Sequence, residues 1–424
     1  MNITILTYGS RGDVQPFLPL SVKLISRGHS VRLAAPSRFQ NLVEEHGITF
    51  VPLPGDPATA ILRINDAGSN IVKMIYEGWT HALQVGPEVF RQTAEACKDA
   101  DLIIHAFSHA VDAHTRAREM NIPDVHVQTF PMYAPTGDYP NVVLPDLKIR
   151  ALNYFTHIVG EKIIWRLTRF GFERISRRAG FPKRKLFFPF DKDPLRLPTP
   201  ILCAWSPSLL PASKEWTANV HVTGYFFFDE TESYQPPPEL RDFLDAGKPP
   251  ICVSFGSMVN RDAEKIRRIV NEVLVKTSQR GIILSGWGSA HKPTSGDLLY
   301  LESAPHDWLL PRCTMLIHHG GAGTVAAGLR AGIPQVIVPF MTDQPFWARR
   351  VHAAGAAPKP ILVKNLSVER LIRAITEANG DAIRRRAQAL AYAIKNEDGV
   401  MCAVELIESH ARKWIEINAR QNQT

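Results

Sequence analysis

A chain of 424 residues is too long for one hydrophobic core, because single cores rarely grow past roughly 250–300 residues, so two domains are expected. Hydrophobic residues at 45% and charged residues at 21% exclude a disordered scaffold. A formal net charge of +8 suits anionic partners (nucleotides, phosphorylated substrates, nucleic acid, an anionic lipid surface) without choosing among them.

Short apolar runs alternate with longer amphipathic ones, the pattern of parallel sheets with crossover helices. In the first half, Ile3–Thr7, Ser30–Ala35, Asp101–Ala106 and Val125–Phe130 read as strands, with helices over Pro16–Arg27 and Pro87–Lys98. The first strand runs into Gly9-Ser10-Arg11-Gly12-Asp13-Val14-Gln15-Pro16. The strand Asp101–Ala106 leads to His105-Ala106-Phe107-Ser108-His109. His105 and His109 stand at i, i+4 like metal ligands, but a third ligand is missing and no metal is expected.

Lys148–Lys185 holds eleven Lys or Arg residues against Glu161 and Glu173 alone, interleaved with Ile158, Ile163, Ile164, Trp165, Leu167, Phe170, Phe172 and Ile175. A basic amphipathic helix of this kind fits an anionic membrane surface, and equally a solvated face packed on its own domain. No nucleic-acid motif accompanies the charge, so nucleic acid is not expected as a partner. Asp191-Lys192-Asp193 imitates a metal-binding DxD motif but sits in a Pro- and Phe-rich loop, and is set aside. Phe228–Pro250 is proline-rich and reads as a linker.

In the second half, Pro250–Phe255, Gly281–Ser285, Leu298–Glu302, Met315–His319 and Gln335–Pro339 read as strands, and Asp262–Gln279, Gly323–Ala331 and Val368–Asn379 as helices. The expected boundaries are 1–228 for a first domain, 229–249 for the linker, 250–400 for a second domain, and 401–424 for a C-terminal helix returning to the first. Two doubly wound domains facing each other would form a cleft, and such sheets bind ligands at strand C-termini. The five cysteines show no CxxC and no paired spacing, which points to a reducing compartment. No apolar run reaches a membrane span and no secretory pattern opens the chain. The expected location is the cytoplasm, with peripheral contact at the inner membrane surface if the basic segment engages it.

His318-His319-Gly320-Gly321-Ala322-Gly323-Thr324 closes a strand and opens a helix. Glycine lets amides approach an anion, and a helix N-terminus adds unpaired N–H groups and a positive dipole. This is a diphosphate site, or else a tight turn that uses glycine only for packing. It lacks the GK[ST] ending of a P-loop and the spacing of a dinucleotide fingerprint. One strand later, Asp343-Gln344 places a carboxylate beside an amide, a pair suited to a polyol. A plain helix N-cap by Asp343 is the alternative.

These segments, with Ser303-Ala304-Pro305-His306-Asp307-Trp308-Leu309 and Ala331-Gly332-Ile333-Pro334-Gln335, resemble the family 1 glycosyltransferases with the GT-B fold. Within them they are most similar to the sterol 3-beta-glucosyltransferase and glycopeptide-antibiotic branch, which the opening GSRGDVQP also resembles. The likeness covers nearly the whole chain. It implies that His319 and the amides of Gly320, Gly321, Ala322, Gly323 and Thr324 hold a diphosphate, with a hydroxyl contact from Thr324. Ser257 would reach the phosphates, Asp343 and Gln344 the sugar hydroxyls, and Ser303, Ala304 and His306 would frame the base. Ser303 stands where plant members carry a tryptophan, and the region of Ala327 lacks their ribose glutamate, which leaves UDP against dTDP open.

The same resemblance makes Asp13 the catalytic base for an acceptor hydroxyl, in an inverting reaction. Helix capping is the other role open to Asp13. Ser10, Arg11 and Gly12 would shape the acceptor-side loop, and His105 or His109 would orient Asp13 or line the acceptor pocket. The implied activity is transfer of a hexose, glucose from UDP-glucose, to a lipophilic alcohol such as a sterol, with no cofactor and no metal. Rival readings are a natural-product glycosyltransferase using a dTDP- or UDP-sugar, a nucleotide-sugar epimerase, and a non-catalytic nucleotide-sugar binder.

Overall fold

The computed structural model describes residues 1–57, 59, 71–142, 144, 148–183, 185–187, 197–231, 234–255, 263–284 and 296–421. They form two compact units, Met1–Pro207 with Pro211–Phe227 and Asp398–Thr424, and Ser208–Leu210 with Phe228–Glu397.

The first unit carries a seven-stranded sheet made of β1 (Asn2–Leu6), β2 (Ser30–Pro36), β3 (Thr49–Leu53), β4 (Leu102–His105), β5 (Asp124–Gln128), β6 (Ile201–Cys203) and β7 (Val220–Val222). Their order is β3-β2-β1-β4-β5-β6-β7, every pair parallel. Ile3, Ile5 and Leu6 are fully buried because a parallel sheet is covered on both faces. Strands β3, β6 and β7 were not expected. Two are three residues long, too short to show a period, and β3 is an edge strand that accommodates Pro52.

The helices of this unit are α1 (Arg11–Val14), α2 (Phe17–Ser26), α3 (Gln40–Glu44), α4 (Ile71–Ala96), α5 (Ala110–Met120) and α6 (Arg150–Arg178). α4 starts well before the expected Pro87, which lies inside it. Proline favours a first helical turn, so the sequence pattern marked a start where the helix in fact continues.

The second unit has β8 (Ile251–Ser254), β9 (Gly281–Leu284), β10 (Leu298–Leu301), β11 (Met315–His318) and β12 (Gln335–Ile337), ordered β10-β9-β8-β11-β12 and all parallel. Alternate residues feed two cores: Ile251, Val253, Met315 and Ile317 face one, Cys252 and Leu316 the other. Its helices are α7 (Pro238–Asp245), α8 (Ala263–Lys276), α9 (His306–Leu309), α10 (Ala322–Ala331), α11 (Gln344–Ala353), α12 (Val368–Ala378) and α13 (Asp381–Lys395). In α12 the buried Leu371, Ala374, Ile375 and Ala378 recur at helical spacing, and the Ser367 hydroxyl caps the helix by accepting from the Arg370 amide at 3.3 Å.

The stretch read as a linker is not a bare spacer. Pro238 sits in the first turn of α7, where its missing N–H is not needed, and Leu240 and Phe243 are buried in the second unit's core. Upstream, the Asp307 carboxylate accepts from the amides of Glu230 and Thr231, both at 2.8 Å, and from the Thr231 hydroxyl at 2.6 Å. Burial pushes the Asp307 carboxyl up, but these donors outweigh it and hold it below its ordinary value.

The last helix, α14 (Gly399–Gln421), belongs to the first unit. Asp398 starts it by accepting from the Met401 amide at 2.9 Å, and Ala403, Val404, Ile407 and Ala411 enter the same core as Leu18 and Leu24 of α2. Glu408 clamps it by accepting from Arg27 Nη2 at 2.9 Å and Nε at 3.1 Å. A Cβ on Gly399 would lie 2.5 Å from the backbone of Gly224 and Tyr225. Gly399→Ala is therefore expected to destabilise the first unit by about 1–3 kcal/mol, read as a lower midpoint in denaturant.

Candidate active site

Both sheets reverse their winding at one place: between β1 and β4 in the first unit, and between β8 and β11 in the second. Loops leaving adjacent strand C-termini diverge there and open a crevice. Of the residues singled out from the sequence, Asp13 follows β1, His109 follows β4 and His319–Thr324 follow β11, while Ser303–His306 follow β10 and Asp343 and Gln344 follow β12.

In the first unit, the loop after β1 turns into α1. Asp13 Oδ2 accepts from the Ser10 amide at 2.7 Å and the Ser10 hydroxyl at 2.9 Å. Asp13 is thus a cap, of α1 rather than of the helix at Pro16. Its Oδ1 has no hydrogen-bond partner among the described residues. Burial raises the Asp13 pKa from its ordinary value, against the lowering effect of Ser10. Thr7 Oγ1 donates to the Asp13 carbonyl at 2.7 Å and Arg11 Nε to Gln15 Oε1 at 3.1 Å, so Arg11 orders its own helix. Gly12 is exposed at the tip.

The histidines after β4 play different parts. His105 is fully buried, with Nε2 3.0 Å from Asp124 Oδ2 and Nδ1 3.2 Å from His126 Nδ1. Both ring nitrogens are spent inside the sheet, so His105 neither orients Asp13 nor lines a pocket. His109 is buried beside the Ser108 hydroxyl at 3.2 Å, and that hydroxyl accepts from the Tyr8 amide at 3.1 Å. Burial pushes the His109 pKa down to about 4, so it is a neutral brace between the β1 and β4 loops. Next to it, Phe107 stacks on Tyr133 with ring centroids 5.6 Å apart and lies 6.0 Å from Phe130. This aromatic cluster escaped the sequence reading, because Phe107 follows β4 while Phe130 and Tyr133 follow β5.

In the second unit, β11 ends in two histidines with opposite tasks. His318 Nε2 lies 2.8 Å from Gln335 Oε1, an acceptor, and His318 Nδ1 accepts from the Gly320 amide at 3.1 Å. These bonds fix the tautomer with the proton on Nε2. They also use up the Gly320 amide, which corrects its expected role as a phosphate donor. Gly320 takes φ +92°, and a Cβ there would lie 2.8 Å from Ile337 Cγ2.

His319 has a buried Nδ1 with no hydrogen-bond partner, and burial lowers its pKa to about 4. A Cβ on Gly321 would lie 2.5 Å from His319 Nε2, so the imidazole rests directly over the helix entrance. The amides of Gly321, Ala322, Gly323 and Thr324 make no backbone hydrogen bond, and the first intrahelical one runs from Val325 to the Gly321 carbonyl at 2.9 Å. Space over Gly323 is open to at least 4 Å. Four unpaired amides, a neutral imidazole and free room make a site for an anion.

The loop after β12 adjoins this turn, since a Cβ on Gly320 would be 3.2 Å from the Gln344 carbonyl. Gln344 is buried, and its Oε1 accepts from the amides of Phe340 at 2.9 Å and Met341 at 3.3 Å. Its side-chain oxygen holds the loop and is not offered to a sugar. Asp343 is the N-cap residue of α11 and accepts from the Thr342 hydroxyl at 3.0 Å, Thr342 having φ +56°. Ser303 is exposed, while Ala304 and His306 are half-buried where α9 begins. Ser257 and Asp191–Asp193 lie outside the described residues. Among the described residues, no group of three or more His, Cys, Asp or Glu is placed to hold a metal, and no helix is long and apolar enough to cross a membrane.

Two all-parallel Rossmann-like sheets with loaded switch points are the architecture of GT-B glycosyltransferases. The glycotransferase of kitacinnamycin shares this fold, with a TM-score of 0.70 over 97% of this chain and 99% of that one, at 20% identity. The model named Glycosyltransferase family 28 N-terminal domain matches residues 3–126, and the one named Erythromycin biosynthesis protein CIII-like, C-terminal domain matches residues 296–398. A sterol 3-beta-glucosyltransferase of Arabidopsis thaliana is 36% identical over 97% of this chain, which spans 66% of that relative's length. The O-mycaminosyltylonolide 6-deoxyallosyltransferase of Streptomyces fradiae is 35% identical over 97% of this chain and 98% of its own. The chain belongs to the family of glycosyltransferases that holds both.

Two glycine substitutions separate the turn's architecture from its ligand space. Gly320→Ala is expected to lower the melting temperature, because it strains the backbone and strikes Ile337. Gly323→Ala is expected to leave the melting temperature unchanged and weaken nucleoside diphosphate binding at least several-fold in calorimetry, because its methyl group enters the open space.

Proposed function

We propose that this glycosyltransferase moves glucose from UDP-glucose to the hydroxyl of a sterol or a similar lipophilic alcohol, with inversion at the anomeric carbon. The observation that carries the reading is the row of unpaired amides at Gly321–Thr324 under an imidazole with an orphaned nitrogen. A leaving diphosphate accumulates charge, and preorganised donors stabilise it without reorganisation. His319 covers the helix entrance, Asp343 contacts the sugar hydroxyls, and the Ser303–His306 backbone frames the base. Ser257 remains assigned to the phosphates by resemblance alone.

The first unit supplies the acceptor side. The acceptor oxygen attacks the anomeric carbon, its proton passes to Asp13 Oδ1, and the bond to the diphosphate breaks, releasing UDP. Oδ2 stays anchored on Ser10, which aims Oδ1 and makes the carboxylate a positioned base. The ring of Phe107, exposed and backed by Phe130 and the buried Tyr133, offers apolar surface to a fused-ring acceptor. The glucose and sterol assignments rest on the plant relative's activity. A dTDP-sugar with a natural-product acceptor is the second reading, favoured by the full-length match to the 6-deoxyallosyltransferase. The five cysteines are free, which suits the cytoplasm.

UDP release from UDP-glucose should depend on an added sterol; release from dTDP-sugars alone would select the second reading. Asp13→Asn is expected to cut kcat about 10²-fold or more while leaving UDP affinity near normal. Asp13 must be ionised to act and its pKa is raised. The acid limb of kcat/KM should therefore fall away at a pH above the ordinary carboxylate value of about 4. Protein donors meet the diphosphate charge in this mechanism, so EDTA should leave turnover unchanged.

A further inference from the structure

The helix α6 presents to solvent what a folded chain normally hides. Among the described residues, fourteen large hydrophobic side chains are exposed, and eight of them lie between Leu144 and Phe170. On α6 itself Phe155 is 62% exposed, Phe170 59%, Leu167 57% and Ile163 52%. Leu152, Phe155, Val159, Ile163, Leu167 and Phe170 follow one another at steps of three or four residues, which is one stripe along one helix face. Eighteen helical steps from Leu152 to Phe170 make that stripe about 27 Å long.

The opposite face is tied down. Asn153, His157, Gly171 and Ser176 are buried, and His157 Nε2 lies 3.0 Å from the Tyr139 carbonyl. A Cβ on Gly171 would lie 2.9 Å from the Trp79 ring of α4. The exposed apolar stripe is therefore a fixed outer surface of a packed helix, anchored at one end where the Phe170 ring also stacks on Trp79 with centroids 6.0 Å apart.

Its charge selects the partner. Lys162, Arg166, Arg169, Arg174, Arg177 and Arg178 are exposed beside the stripe. Lys162, Arg166 and Arg174 have no ion-pair partner among the described residues. The helix has two acidic residues. Glu173 pairs with Arg169 at 3.2 Å, and Glu161 is half-buried, its carboxyl pushed up to about 7 by burial. Apolar side chains flanked by unneutralised cations match the boundary between headgroups and acyl chains of an anionic bilayer, where long basic side chains reach the phosphates while the stripe enters the lipid.

We propose that the outer face of α6 docks this protein on an anionic lipid bilayer, lying in the interface. The surface stands whichever acceptor the enzyme uses. The test is co-sedimentation of the full chain with phosphatidylcholine vesicles, with and without 30% phosphatidylserine. Binding is expected with phosphatidylserine, to fall as salt rises, and to be absent with phosphatidylcholine alone. The triple variant Phe155→Ser/Ile163→Ser/Phe170→Ser and the double variant Arg166→Glu/Arg174→Glu should each weaken it at least tenfold, with UDP affinity and melting temperature kept as folding controls. Wild-type-like sedimentation of the folded variants, or failure of the wild type to bind, overturns the proposal. So does a concentration-dependent dimer in light scattering that the triple variant abolishes, since the stripe would then cover a second copy of the chain.

Discussion

The donor half of the proposed site depends on four amides that have nothing to bond among the described residues. A helix leaves its first N–H groups unpaired by construction, and a protein must cap them, solvate them or give them an anion. No side chain caps α10. Its entrance is held open by a buried polar bridge: His318 joins the Gly320 amide to Gln335, and Gln335 Nε2 reaches the Val325 carbonyl at 3.3 Å. Gly328 is part of this bridge, because a Cβ there would fall 2.7 Å from Gln335 Cδ. Strand β11, strand β12 and helix α10 are thus locked together by buried groups, and the His319 imidazole lies over the helix entrance.

Two aspartates of the first unit show how burial is answered in opposite ways. Burial also pushes the Asp124 carboxyl up, but His114 Nδ1 at 2.9 Å and His105 Nε2 at 3.0 Å hold it well below the usual carboxylate range. Thr199 Oγ1 adds a donor at 3.2 Å. That carboxylate is satisfied on every side and serves the fold. Asp13 receives donors on one oxygen only, so desolvation wins and its pKa rises. A carboxylate poised this way is a better base than a saturated one, which supports the role proposed for Asp13.

The fold class was legible because parallel sheets write themselves as short buried runs between longer amphipathic ones. Strands of three residues carry no such period, so β6 and β7 were silent. The proline-rich stretch misled for a physical reason: proline stiffens a loop and also starts a helix, and only the burial of Leu240 and Phe243 distinguishes the two. The glycine-rich helix entrance could be found from the sequence because backbone chemistry follows directly from glycine. Side-chain direction could not. Gln344 and Gly320 sit in the right loops, yet both are spent on loop geometry, and His105 points into the sheet instead of out of it. Which of two adjacent histidines braces the turn shows only in the structure, where His318 bonds Gln335 and the Gly320 amide.

The basic helix carries the same lesson further. Its charge was countable in the sequence, but the fit to a membrane and the fit to a solvated face share one composition. What separates them is the position of the apolar side chains relative to the packed face. A solvated helix would turn its Phe, Leu and Ile inward and its Arg and Lys outward. Here Phe155, Ile163, Leu167 and Phe170 stand outside with the cations, while the inner face carries Asn153, His157 and Gly171. On the inner side, the half-buried Glu161 acts on the phenol of Tyr133, whose pKa is raised mainly by burial and further by that carboxylate. One helix therefore packs on its own unit with one face and leaves a greasy, cationic surface on the other. For an enzyme whose acceptor dissolves in lipid rather than water, that is a short route from where the substrate resides to where it would be used.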